Sequence, residues 1–242
     1  MIGEGDPVNF VVPTGNFGNI LAAYYAKRMG LPVGKLICAS NSNKVLFDFF
    51  TTGEYDRNRK FVLTSSPSMD ILISSNLERL IYHIGGDDAE KCAAFMKELK
   101  ETGRYSITPE MRAQLSDFVS GYADEEQTAE EIRTVYENDG YVIDPHTAVA
   151  SSVYRRYRAA ASDLTPAVID STASPFKFEG SVMAALGKDT SLPDLELADK
   201  LSEVAGVPVP KAVSDLRDAP VLHNIVCDRT QMKDEVKKFL NL

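Results

Sequence analysis

The spacing of apolar and polar residues changes several times along the chain, and each change predicts an element. Val8 to Val12 is β-branched and apolar on both faces, as in a strand covered on both sides. Ile20 to Met29 follows a helical period. It carries Lys27 and Arg28 in its last turn, Gly30 as a stop and Pro32 beyond. A second buried-strand run follows at 35–39. Strand, glycine-bearing turn, helix and strand make one βαβ unit, which predicts a parallel sheet. A third strand is predicted at 60–63 and a helix at 76–84.

The segment 87–139 reads as three helices. The first runs from about Asp88 to Thr102 and stops at Gly103, and the second opens at Thr108-Pro109. The third opens with a capping box at Thr128 and Glu131 and ends before Gly140. The α/β pattern then returns, with strands at 141–143 and 167–171 and helices at 146–161 and 178–186. The tail, about 192–242, reads as short helices, a strand near 222–226 and a last helix opened by Asp228. The predicted class is α/β, a mostly parallel sheet with flanking helices plus a helical insertion. The predicted division is a body over 1–86 and 140–190, the insertion over 87–139, and a tail over 191–242 that packs on the body.

Charge sharpens this division. Segment 87–139 holds 14 acidic against 6 basic residues, and the rest of the chain 21 against 20. The middle is therefore read as an acidic, solvated helical insertion. The chain's net charge of −9 disfavours a nucleic-acid partner. At 44 % hydrophobic and 25 % charged residues, the 242-residue chain can bury a core without disulfide or metal staples. No run of 18 apolar residues suggests a membrane span, and the first ten residues lack the pattern of a signal peptide. Cys38, Cys92 and Cys227 are odd in number and far apart, which favours reduced thiols and a cytoplasmic location.

The most informative stretch for chemistry is the turn Pro13-Thr14-Gly15-Asn16-Phe17-Gly18-Asn19. Two glycines between a strand and a helix let backbone approach a ligand, and the helix start adds free N–H groups, which suits a phosphate. Neither GxxxxGK[ST] nor GxGxxG is present, so on spacing alone a plain connecting turn competes with the phosphate reading. Ser74, Ser75, Asn76 and Arg79 cluster at a helix start; they suit either an anionic substrate or an ordinary N-cap. His146 opens a helix after Asp144 and reads first as a capping or packing residue. His83 and His223 read as structural, and no side-chain spacing points to a metal.

VVPTGNFGN at 11–19 resembles the cofactor-phosphate loop of threonine synthases, pyridoxal 5'-phosphate enzymes of the tryptophan-synthase-β-like group. SSPSMDILISSNLER at 65–79, DPHTAVA at 144–150 and STASPFKF at 171–178 resemble the same family in the same order. The likeness covers about residues 8–187, and is to the branch with a large helical insertion. It implies part of the large domain of a fold-type-II pyridoxal-phosphate enzyme. The implied reaction is conversion of O-phospho-L-homoserine and water to L-threonine and phosphate, a step of threonine biosynthesis. By resemblance, Gly15, Asn16, Phe17, Gly18 and Asn19 surround the cofactor phosphate, and Thr172 lies near the ring nitrogen. Ser75, Asn76 and Arg79 are the implied substrate-binding residues.

The chain departs from the family pattern in two places. Ser174 stands where many members carry histidine. The family's aldimine lysine lies well before the phosphate loop, which here begins at residue 13, and Lys177 belongs to a later motif by its order. The expectation is a C-terminal fragment with no catalytic lysine of its own, inactive alone, whose partners are the substrate and the missing N-terminal half. Self-association is expected if that half is absent. Another enzyme of the cofactor group, dehydratase-like, and a non-catalytic interaction domain remain as alternatives.

Overall fold

The structure, a computed structural model, describes residues 3–242. Strand β1 (Val8–Pro13), helix α1 (Gly18–Arg28) and strand β2 (Val33–Ser40) form the expected βαβ unit. β1 pairs in parallel with β2, setting Val11 opposite Ile37 and Val12 opposite Cys38. β6 (Ala167–Ile169) lies parallel on the other side of β1, and β5 (Phe118–Tyr122) parallel on the outer side of β2. The sheet order is β5-β2-β1-β6.

Alternate side chains on the two central strands enter different cores, as a pleated strand requires. Val12, Leu36 and Cys38 face the larger cluster with Ile20 and Leu21 of α1. Val11, Ile37 and Ala39 face Val149, Ala150 and Val153 of α7 (Pro145–Ala161). Both faces of the sheet are thus covered, which explains why these strands read as continuous apolar runs.

The larger core continues into α2 (Val45–Thr52), α3 (Leu77–Ile84) and α4 (Ala89–Thr102). A two-stranded antiparallel ribbon, β3 (Glu54–Asp56) with β4 (Arg104–Ser106), sets Tyr55 opposite Tyr105. Their rings stack at 5.4 Å, 4° from parallel. α5 (Pro109–Ala113) and α6 (Glu125–Asp139) complete the acidic middle. α8 (Glu179–Ala185) packs with α9 (Asp194–Ala205), which buries Leu197, Ala198 and Leu201. The chain as far as Pro208 forms one compact unit and Val209–Leu242 a second. The second holds α10 (Lys211–Ser214) and α11 (Met232–Phe239), neither with a buried residue. Among the described residues no helix is long and apolar enough to cross a membrane.

Several elements differ from their sequence reading. The acidic middle holds three helices, but it also supplies β4 and the sheet strand β5. The capping box of α6 is Asp124 with Gln127, four residues before the expected pair. Thr128 instead donates to the Asp124 carbonyl, and the buried Glu131 accepts from Ser151 and Arg155. Residues 60–63 form no strand, because the side chain of Asn43 takes both backbone groups of Val62. Residues 141–143 and 222–226 also lack strand pairing.

Candidate active site

β1 is flanked by β2 and β6, so the chain leaves β1 toward one side of the sheet and returns last on the other. Loops following such adjacent strands diverge at their carboxyl ends and leave a crevice, the usual ligand position in open α/β sheets. A pocket of about 280 Å³ lies there. Its wall includes Gly15, Asn16, Phe17, Gly18 and Asn19 after β1, and Thr172, Ala173 and Lys177 after β6. Ser68, Met69, Asn76 and His146 contribute the remaining polar and apolar surface beside residues 12–14.

The loop after β1 takes its shape from two positions. Phe17, not a glycine, adopts the left-handed conformation at φ 65°. That conformation is unfavourable for a bulky residue, and burial compensates for it here. The Phe17 ring is 1 % exposed and stacks at 6.0 Å on both Phe50 and Phe118. Gly15 is required by close approach: a Cβ there would lie 2.8 Å from the Ser68 carbonyl oxygen and 3.0 Å from Met69 Cα.

This geometry leaves the loop amides unpaired within the protein. Among the described residues, the backbone N–H groups of Gly15, Asn16, Phe17, Gly18 and Asn19 have no protein acceptor. The first turn of α1 carries no acidic side chain of its own, so the positive end of its dipole favours an anion there. Asn19 donates to the Asp170 carboxylate at 3.1 Å, tying the start of α1 to the end of β6.

The 74–76 segment clamps the loop from its other side. Ser74 donates to the Gly15 carbonyl at 2.9 Å, and the Asn76 amide donates to the Asn16 carbonyl at 2.8 Å. Arg79 donates to the Asn76 side-chain oxygen. Ser75, Asn76 and Arg79 also line a second pocket of about 650 Å³ with Tyr25, Tyr82 and His83. Asn76 lines both pockets. The six candidate cofactor residues therefore share one pocket; of the three candidate substrate residues Asn76 lines it too, whereas Ser75 and Arg79 line only the second.

Sequence reading gave little weight to two residues of the first pocket. Lys177 is the one lysine lining it among the described residues, with Nζ 5.9 Å from the Phe178 ring centre. His146 is buried, and both its ring nitrogens are engaged, one by Asp144 and the other by the Ser68 N–H. The signal for His146 was present in DPHT, where the N-cap aspartate lies two residues before the ring. Burial alone would raise the Asp144 carboxyl; hydrogen bonds from His146 and Thr147 outweigh it and hold the group below its ordinary range. Ser174, at the family's histidine position, caps the short turn Pro175–Lys177 by accepting from the Phe176 N–H.

Residues 147–226 match the family model "Threonine synthase, C-terminal". Human threonine synthase-like 1 is 38 % identical over 98 % of this chain. The yeast threonine synthase structure superimposes with a TM-score of 0.83 at 33 % identity, over 97 % of this chain. The chain is thus similar to the C-terminal part of threonine synthases. The threonine synthase of Brucella melitensis, solved with PLP bound, is 40 % identical over 84 % of this chain at a TM-score of 0.72. The chain spans 30 % of the human relative, 48 % of the yeast enzyme and 42 % of the Brucella one. The likeness to the threonine synthases therefore covers both faces of the sheet and the crevice at its carboxyl end.

Proposed function

We propose that this domain supplies the cofactor-phosphate cradle of a pyridoxal 5'-phosphate-dependent threonine synthase, a lyase converting O-phospho-L-homoserine and water to L-threonine and phosphate. The observation that carries this reading is the row of five N–H groups without a protein acceptor, Gly15 to Asn19, lining the pocket at the start of α1. The residues fit the cofactor. The amides match a phosphate dianion, and Gly18 leaves space where a side chain would project, its nearest neighbour being Asn76 Nδ2 at 3.6 Å. The Brucella relative, with PLP bound, supports the same assignment.

When bound, the cofactor supplies an electron sink for carbanions formed from the substrate. This chain's residues bind and orient. The loop amides hold the phosphate, and the Asn19–Asp170 bond keeps the β6 end against the loop. Thr172, which lines the same pocket, would offer the ring nitrogen of a bound cofactor a neutral hydroxyl rather than a carboxylate. Arg79 supplies a cation for the substrate's anionic groups. The chain's share of its relatives' length supports a division of labour. The full reaction draws on residues outside these 242, and the polypeptide alone forms no threonine.

Equilibrium dialysis of the full chain against pyridoxal phosphate tests the cradle. Gly18→Trp is expected to weaken binding by about 10-fold or more; unchanged binding would overturn the assignment. Borohydride reduction followed by peptide mapping tests the division of labour. No cofactor is expected on any lysine, and label on Lys177 would show that this chain carries its own covalent anchor. Threonine formed from O-phospho-L-homoserine by the chain alone would also overturn the inactive reading.

A further inference from the structure

His146 lines the pocket, yet it has no ring nitrogen left for a ligand. Its Nδ1 lies 2.9 Å from Asp144 Oδ1, whose carboxylate also accepts the His146 backbone N–H at 2.8 Å. An ionised carboxylate accepts only, so Nδ1 carries the proton and Nε2 is left as an acceptor. That acceptor takes the Ser68 backbone N–H at 3.2 Å. Ser68 belongs to a single helical turn, Pro67–Met69, and its carbonyl is what crowds the Cβ position of Gly15. The far end of this turn is fixed separately. The Asp70 carboxylate accepts from Asn41, Asn43 and Thr64.

We infer that His146 is a positioning residue: its Nε2 holds the Ser68 peptide, and the Ser68 carbonyl in turn sets the Gly15 end of the phosphate loop. The inference rests on the cradle reading above and assigns the ring no contact with the ligand. The relay runs from Asp144, which fixes the tautomer, through His146 to Ser68 and then to Gly15. The ring lies 4.9 Å from that of Phe178, which limits its rotation out of this arrangement.

Two substitutions separate the two bonds. In His146→Gln the longer amide places an acceptor near Nε2 and keeps the Ser68 bond. In His146→Asn the shorter amide reaches Asp144 but not Ser68. Pyridoxal phosphate dissociation constants for the full chain should stay within about 3-fold in Gln and rise about 10-fold in Asn. Amide exchange at Ser68, whose N–H is held by His146, should quicken in Asn alone, a readout that holds even if both variants lose some thermal stability. Equal weakening in both variants, or none in Asn, would overturn the positioning role while leaving the cradle intact. Failure of the unsubstituted chain to bind would instead reject the cradle on which the role depends.

Discussion

The side-chain oxygen of Asn16 accepts two hydrogen bonds from Ser75, one from its backbone N–H at 2.7 Å and one from its hydroxyl at 2.8 Å. The loop that presents its amides to the pocket is thus tied to the start of α3. Ser75 is a candidate substrate residue, but its donors already serve the loop. Ser75→Ala should therefore weaken pyridoxal phosphate binding by about 3- to 10-fold with no substrate present, equivalent to one lost hydrogen bond. Dialysis without O-phospho-L-homoserine checks this; a defect seen only with substrate would return Ser75 to direct contact.

Gly15→Ala should be more damaging than its single methyl suggests. The atoms in its way are backbone, the Ser68 oxygen at 2.8 Å and Met69 Cα at 3.0 Å, and backbone yields less readily than a side-chain tip. A loss of about 1–3 kcal/mol in urea unfolding is expected, together with weaker phosphate binding. A stability equal to the parent's would show that the 67–69 turn can retreat.

Tyr55 links the ribbon to the clamp. Its hydroxyl donates to the Leu72 carbonyl and accepts the Ser74 N–H at 2.7 Å. Tyr55→Phe leaves that buried N–H without its acceptor and should cost about 1–3 kcal/mol. Burial pushes the phenol up from 10.0 to about 12. Its folded value is above its unfolded one, so its contribution is complete below pH 10 and falls as pH rises toward about 12. Unfolding followed over that range should show a decline that the Phe variant lacks in part.

Asp144 acts at the opposite end of the pH scale. Its carboxylate caps α7 through the N–H groups of His146 and Thr147 and is held below its ordinary range against the effect of burial. Its stabilising contribution is present above the unfolded carboxyl range and is lost as pH falls through the lower folded value. Asp144→Ala should remove about 1–2 kcal/mol at neutral pH from the cap alone. It should also flatten the acid limb of the stability curve; an unchanged limb would assign acid sensitivity to other carboxylates.

The central βαβ unit was legible because its strands are covered on both faces and carry no polar stripe. β5 was not legible. Phe118-Val-Ser-Gly-Tyr122 is short, holds a glycine and a serine, and lies within the acidic run that suggested helices alone. Residues 60–63 show the reverse error. Their strand-like side chains gave no warning that Asn43 would take the backbone groups of Val62. In the pocket, the glycine spacing pointed to the loop, and the resemblance gathered Thr172 beside it. Neither could show that Ser75 and Asn76 are committed to Asn16, nor that both nitrogens of His146 are spent, because these facts depend on contacts some 60 to 80 residues apart.

The left-handed turn at Phe17 ties ligand affinity to the integrity of the interior. A glycine there could relax without penalty, whereas this ring must remain wedged against Phe50 and Phe118 to keep its backbone angle. Damage deep in the larger core, such as Phe118→Ala, should therefore loosen the grip on a phosphate that the altered side chain never touches. Anion affinity then becomes a remote gauge of aromatic packing.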